Sequence, residues 1–313
     1  METENNISKT IDATDEKAKL DASCKKLLAF KIILAHILKS CTEEFKDLDV
    51  EDIANNYIEG EPKVSEVAVH QDEQIKGMNT EDTPINERTV RYDILFYVRI
   101  PGKRKKACFI VNIEAQGKYS AGYPLEKRCM YYLAREFSAQ RNRDFKDDEY
   151  QKLNKVFSIW FCFDVPKNKE NTVTRFSFQP KNLVGKAKFK KVNYDLMELI
   201  IVCIGDKHDD KNYSGIIRLI DTLLSSRIRS DDKKVILAND YGIKMTKTIE
   251  GEVFDMCNIS DGVYNRGIED GKILGAIDLC KSLGFSLIDT VKNIVKSFDI
   301  SEEDAEKAVR KNW

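Results

Sequence analysis

No stretch of this chain approaches the roughly 20 consecutive apolar residues that a membrane-spanning helix requires, and Met1 to Asp21 is polar and charged with no apolar signal core. A soluble, cytoplasmic protein with no membrane partner is the expectation. There is no CxxC pair either. Cys24, Cys41, Cys108, Cys129, Cys162, Cys203, Cys257 and Cys280 stand singly among apolar neighbours, which argues against a disulfide frame or a zinc ribbon and for reduced core residues. Net charge is nearly absent: 51 Lys and Arg against 52 Asp and Glu leave −1, so any attraction to a polyanion must come from local clusters. Histidine is scarce as well. His70 has no second histidine near it and reads as a surface or structural residue, not a general base.

What is present is a pair of acidic strands. Arg91-Tyr92-Asp93-Ile94-Leu95-Phe96-Tyr97-Val98 and Phe109-Ile110-Val111-Asn112-Ile113-Glu114-Ala115-Gln116 are rich in β-branched and aromatic residues, with turn chemistry at Pro101-Gly102 between them. An antiparallel hairpin follows. Strand alternation sends Glu114 and Gln116 to one face, and a register that sets Asp93 beside Glu114 converges two carboxylates with an amide next to them. Such a donor set suits a hard divalent cation: Mg²⁺, with Mn²⁺ able to substitute.

The Asp on one strand and Glu-x-Gln on the next resemble the PD-(D/E)XK nuclease superfamily, within it the branch labelled nuclease family transposase and related to recombination-promoting nucleases. The superfamily pattern ends in Lys, which helps to position or activate the attacking water. Gln116 is the departure, and a Gln there is familiar within this branch. Gly77 to Asp82, Lys127 to Tyr132, Val156 to Trp160, Met256 to Asn258 and Gly267 to Glu269 also look like the branch, from about Leu27 to the tail. The resemblance implies an α/β, restriction-endonuclease-like core with a mixed central β-sheet flanked by helices, and a helical C-terminal extension. It implies a Mg²⁺-dependent endodeoxyribonuclease, with Asp93 and Glu114 as metal ligands and Gln116 orienting water or phosphate. Glu44, after the first core helix, and Glu81, in the polar loop 74–86, are candidate extra acids. DNA is the expected partner. Lys103, Arg104, Lys105 and Lys106 in the hairpin turn are candidate phosphate contacts that bind without reading bases, and Arg128 is a further one. Two alternatives stand beside this reading. One is a catalytically impaired nuclease-fold module that binds DNA; the other is an interaction protein acting through its tail as a homo-oligomer.

Along the chain, residues 1–17 are expected as a disordered arm, 18–205 as the core, 206–265 as a helical extension and 266–313 as a helical tail. The apolar stripe from Leu27 to Cys41 predicts one helix, and Val64 to His70 predicts a strand beside the Asp93 strand. A helix over 125–140 puts Arg128, Tyr131, Tyr132 and Arg135 on one side. The apolar run Val156 to Val165 predicts a strand buried on both faces, and helical spacing is read over 193–204, 213–227 and 235–241. Gly262 and Gly267 punctuate the chain before helices at 271–283, 286–298 and 301–311, the last two opened by Ser286 and Ser301 as caps. The last helix is acidic where a DNA-recognition helix would be basic, which favours a structural or protein-contact role.

Overall fold

The computed structural model describes residues 18–64, 81–82, 90–91, 93–102, 106–114, 123–141, 143–225, 227–298 and 300–313. The segment 1–17 lies outside them. Two compact units emerge: Asp21–Val253 is one, and Met1–Leu20 with Phe254–Trp313 is the other.

The larger unit is built on a mixed six-stranded sheet in the order β1-β4-β5-β6-β8-β7, where β1 is Ile58–Val64, β4 Ile94–Arg99, β5 Lys106–Glu114, β6 Lys155–Cys162, β7 Thr172–Ser177 and β8 Met197–Cys203. The two-residue strands β2 (Glu81–Asp82) and β3 (Val90–Arg91) pair separately. As the turn residues predict, β4 and β5 form an antiparallel hairpin through Pro101-Gly102, Gly102 taking φ 67°. The chain then crosses through helix α4 (Leu125–Ala139) into β6, parallel to β5, and β8 adds parallel to β6. A parallel neighbour requires such a crossover.

All eight residues of β6 are buried, as the near-continuous apolar run predicts of a central strand covered on both sides. On one face Leu125, Cys129 and Leu133 of α4 pack over Leu95, Val156, Trp160, Cys162, Leu199 and Ile201. Each large apolar side chain removed from water there contributes about 1.5–3 kcal/mol. Trp160 keeps its indole N–H satisfied by donating to Ser158 Oγ at 2.9 Å. Phe157, Ile159 and Phe161 are buried on the other face.

The apolar stripe expected as one helix from Leu27 to Cys41 is two: α1 over 18–28 and α2 over Lys31–Cys41. They break at Phe30, whose extended backbone (φ −61°, ψ 130°) precedes α2. A short helical turn, α3 (Val50–Asp52), is capped by Asp49, which accepts from the Glu51 and Asp52 amides. Among the described residues the strand beside β4 is Ile58–Val64; positions 65–70 of the expected strand lie outside them. Gly60 and Pro62 hide β1 from a propensity reading, and it survives as an edge strand with a register shift between Glu59 and Lys63. The expected helix at 193–204 is in fact β8, preceded by a single 3₁₀ turn at Lys191–Asn193. Its run Leu199-Ile200-Ile201-Val202 fits the pleat better than a helix, and apolar runs this short are ambiguous by spacing alone.

Helices α5 (Gly215–Leu224) and α6 (Ser230–Tyr241) follow β8. Helix α7 then runs unbroken over Lys247–Ser282, straight through Gly262 and Gly267, where a break was expected. Glycine costs a helix only about 1 kcal/mol, and there is no proline to end it. In the second unit, α8 (Leu287–Phe298) and α9 (Glu302–Asn312) bury Val291, Ile294, Ala305 and Val309 with Ile277 of α7. Their caps are as read: Ser286 Oγ accepts from the Asp289 amide and Ser301 Oγ from the Asp304 amide, each at 3.1 Å. Among the described residues no helix is long and apolar enough to cross a membrane.

Candidate functional site

Strands β5 and β6 end level with one another, Glu114 opposite Cys162, and in parallel sheets the carboxyl ends of strands are where ligands gather. Glu114 is the last residue of β5. Across the hairpin Ile94 faces Val111, so one further step sets Asp93 level with Asn112 and not with Glu114. The two acidic positions are therefore diagonal, two residues apart along β5 and on the same face, a separation of roughly 7–8 Å. The side chains of Glu114, Glu81 and Lys106 lie outside the described residues, as do Gln116, Lys103, Arg104 and Lys105 altogether.

Asp93 is described, and it has a partner that the sequence did not suggest. Lys25 of α1 brings Nζ to 3.0 Å from Asp93 Oδ1, while Asp21, one turn earlier on the same helix, also pairs with it. Lys25 is buried, at 7% exposure. Burial alone would lower its pKa, but the charge of Asp93 and the hydrogen bonds to Asp21 and Asp93 outweigh it and hold the pKa above the ordinary lysine value. A fixed cation thus sits on the first acid of the motif. No local spacing signals the contact of Lys25 with Asp93, 68 positions further on.

Arg128, in the first turns of α4, places its guanidinium 5.5 Å from the ring centre of Trp160 and 5.3 Å from that of Tyr132. Trp160 pairs with Asn112, the residue level with Asp93, so Arg128 overlies the same row of the sheet two strands away, about 10 Å at ordinary strand spacing. Tyr132 meets Trp160 edge to face at 5.5 Å. Tyr131 is exposed.

Glu44 is elsewhere. It bonds Lys155, the first residue of β6, which lies level with Ala107 at the far end of β5 from Glu114. Seven residues of strand separate the two levels, about 23 Å, and alternation puts Lys155 on the opposite face. Glu44 is thus not a third acid for Asp93 and Glu114. It belongs to a buried cluster in which Lys155 Nζ lies 2.9 Å from Glu44, 3.0 Å from Asp195 and 2.6 Å from Glu198.

The three carboxylates bring oxygens within 4.8 Å of one another and could hold a metal ion. The Lys155 ammonium already stands among them, however, donating to all three. Burial would lower Lys155, yet its bonds to Glu198 and Glu44 hold it above its ordinary value, while burial pushes Glu198 up against the pull of Lys155. A divalent ion entering here would have to displace a charged amine, so the cluster is a structural ion-pair network. Arg175 of β7 extends it, reaching Glu43 at 3.1 Å, the Cys41 carbonyl at 3.2 Å and Glu198 at 3.6 Å. Asp93 precedes the first residue of β4 and Glu114 is the last residue of β5, so the antiparallel pairing brings both positions to one end of the hairpin. No protein-family model, curated protein or solved structure matches the chain, which leaves its chemistry to its own residues and topology.

Proposed function

We propose that this chain is a metal-dependent DNA endonuclease with a restriction-endonuclease-like core of the PD-(D/E)XK kind. The observation that carries the reading is topological: strand, turn, strand, crossover helix and strand follow one another as β4, β5, α4 and β6, with Asp93 entering the first strand and Glu114 closing the second on one face. Asp93 and Glu114 would hold Mg²⁺ or Mn²⁺. When bound, such an ion stabilises charge on the phosphate and activates water.

The remaining roles fall to the chain itself. Gln116 carries no charge, so the cation expected in the Glu-x-Lys pattern must come from elsewhere, and Lys25 on Asp93 is the lysine that supplies it. Its ammonium orients the Asp93 carboxylate and offsets negative charge brought by a phosphodiester. Arg128, beside the Trp160 and Tyr132 rings, would orient the backbone of the bound strand. The basic turn 103–106 adds affinity without sequence preference.

The test is supercoiled plasmid incubated with purified protein in Mg²⁺, in Mn²⁺ and in chelator. Nicking is expected only with metal and is lost in Asp93→Ala and Glu114→Ala; equal loss of plasmid with wild type and variants would sink the proposal by revealing a contaminant. Gln116 in the lysine position favours a second reading, a nuclease-fold module that binds DNA without cutting it. That reading predicts retained DNA binding with no nicking under any metal.

A further inference from the structure

Between β7 and β8 the chain leaves the sheet in a segment whose every residue, from Ser177 through Asn193, is exposed. Its charge is of one sign. Lys181, Lys186, Lys188, Lys190 and Lys191 fall between Phe178 and Val192 with no Asp or Glu among them. Large apolar side chains stand open beside them: Phe178 is 63% and Phe189 66% exposed, and at the apex Leu183 reaches 87% and Val184 94%.

The segment nevertheless has a defined shape. Asn182 clasps the apex, its Nδ2 donating to the Ala187 carbonyl at 3.0 Å while the Ala187 amide donates to Asn182 Oδ1 at 3.2 Å. Gly185, at φ 71°, makes the reversal that the clasp encloses. The root is anchored in the buried ion-pair network: Ser177 pairs with Glu198, and Lys191 Nζ lies 3.5 Å from Asp195.

We propose that this arm binds a single-stranded nucleic acid, its lysines on the phosphates and Phe178 and Phe189 stacked on the bases. Between Lys186 and Lys190 there is no turn or helix. Lys186, Lys188 and Lys190 alternate in sequence with Ala187 and Phe189, and all five residues are exposed. Exposed lysines interleaved with exposed aromatic side chains are the combination by which proteins hold unpaired strands: the cations neutralise the backbone and any base stacks on a ring. An anionic membrane would engage the Leu183-Val184 apex and leave both phenylalanines, away from that apex, without a role. A second copy of the chain would bring five like charges against five. The inference does not depend on hydrolysis, because the arm lies at the end of the sheet away from Glu114 and its binding is read without metal.

The experiment is fluorescence anisotropy of labelled oligothymidylate with the full chain in chelator, beside a duplex and phosphatidylserine vesicles. Phe178→Ala with Phe189→Ala should weaken oligothymidylate binding about 10-fold or more. Changing Lys181, Lys186, Lys188 and Lys190 to Ser should lower the slope of log affinity against log salt by about 3, at about 0.7 per lost phosphate contact. Both variants should melt with wild type, since the side chains are exposed. Wild-type affinity in both variants overturns the proposal, as does tighter binding to vesicles than to the oligonucleotide, or self-association abolished by Leu183→Ser with Val184→Ser. Binding is read in chelator and nicking in metal, so that failure of either idea is seen separately.

Discussion

Replacing Lys155 by Met isolates the contribution of the buried network. The change keeps the apolar stem and removes only the ammonium, which leaves the Glu44, Asp195 and Glu198 carboxylates facing one another with side-chain exposures of 14%, 12% and 6%. Removing one partner of a buried ion pair costs about 3–5 kcal/mol, because the charges left behind are neither solvated nor paired. For a folding unit of this size the loss corresponds to a fall in Tm of roughly 10 °C.

The pH dependence has a definite sign. With the ammonium gone, mutual repulsion raises the carboxyl pKa values in the folded state above their unfolded values. The folded state then binds more protons, and stability is recovered as pH falls towards the ordinary carboxylate range. In wild type, Lys155 is itself raised, so its contribution is full below the ordinary lysine value and lost only as pH rises through the folded one. Urea unfolding at neutral and mildly acid pH measures both effects. In an Asp93→Ala background, millimolar Ca²⁺ or Mg²⁺ should raise the Tm of the Lys155→Met variant and not that of its Lys155 parent, since only the former opens the triad to an ion. A penalty below about 1 kcal/mol, one equal at both pH values, or a metal-induced rise in the parent would refute the account of Lys155 as the resident cation.

Two further outcomes are expected. Lys25→Met should destabilise the larger unit by about 1–3 kcal/mol in urea, the value of charged hydrogen bonds to Asp21 and Asp93, and should slow nicking; unaltered stability would mean that the pair is not formed in solution. Ser301→Ala should cost the second unit about 1 kcal/mol through the lost Asp304 cap, read as reduced protection of the α9 amides in hydrogen exchange, whereas unchanged protection would show the cap to be dispensable.

What the sequence conveyed was local. The hairpin, the buried strand at Val156, the α4 helix and the serine caps are all settled by neighbours within a few residues, where alternation, turn chemistry and capping speak directly. β8 was misread because Leu199 to Cys203 is apolar on both faces, which erases the period that separates strand from helix. β7 left no signal: Val173 and Arg175 are half-exposed edge residues, and only pairing with β8 makes a strand of them. The candidate site divides in the same way. Asp93 and Glu114 stand out because both lie on one hairpin, while the lysines that decide the electrostatics reach their partners across the fold, Lys25 to Asp93 and Lys155 to Glu44. No spacing encodes such a meeting.

The bulged edge strand has a consequence for the protein in crowded solution. Among the described residues β1 pairs only with β4, and an open row of amides and carbonyls is a template on which another chain can add a strand. Pro62 has no amide hydrogen to donate, and the register shift between Glu59 and Lys63 interrupts the regular ladder of β1. The irregularity that made β1 hard to recognise is of the kind by which edge strands are made poor templates for edge-to-edge pairing.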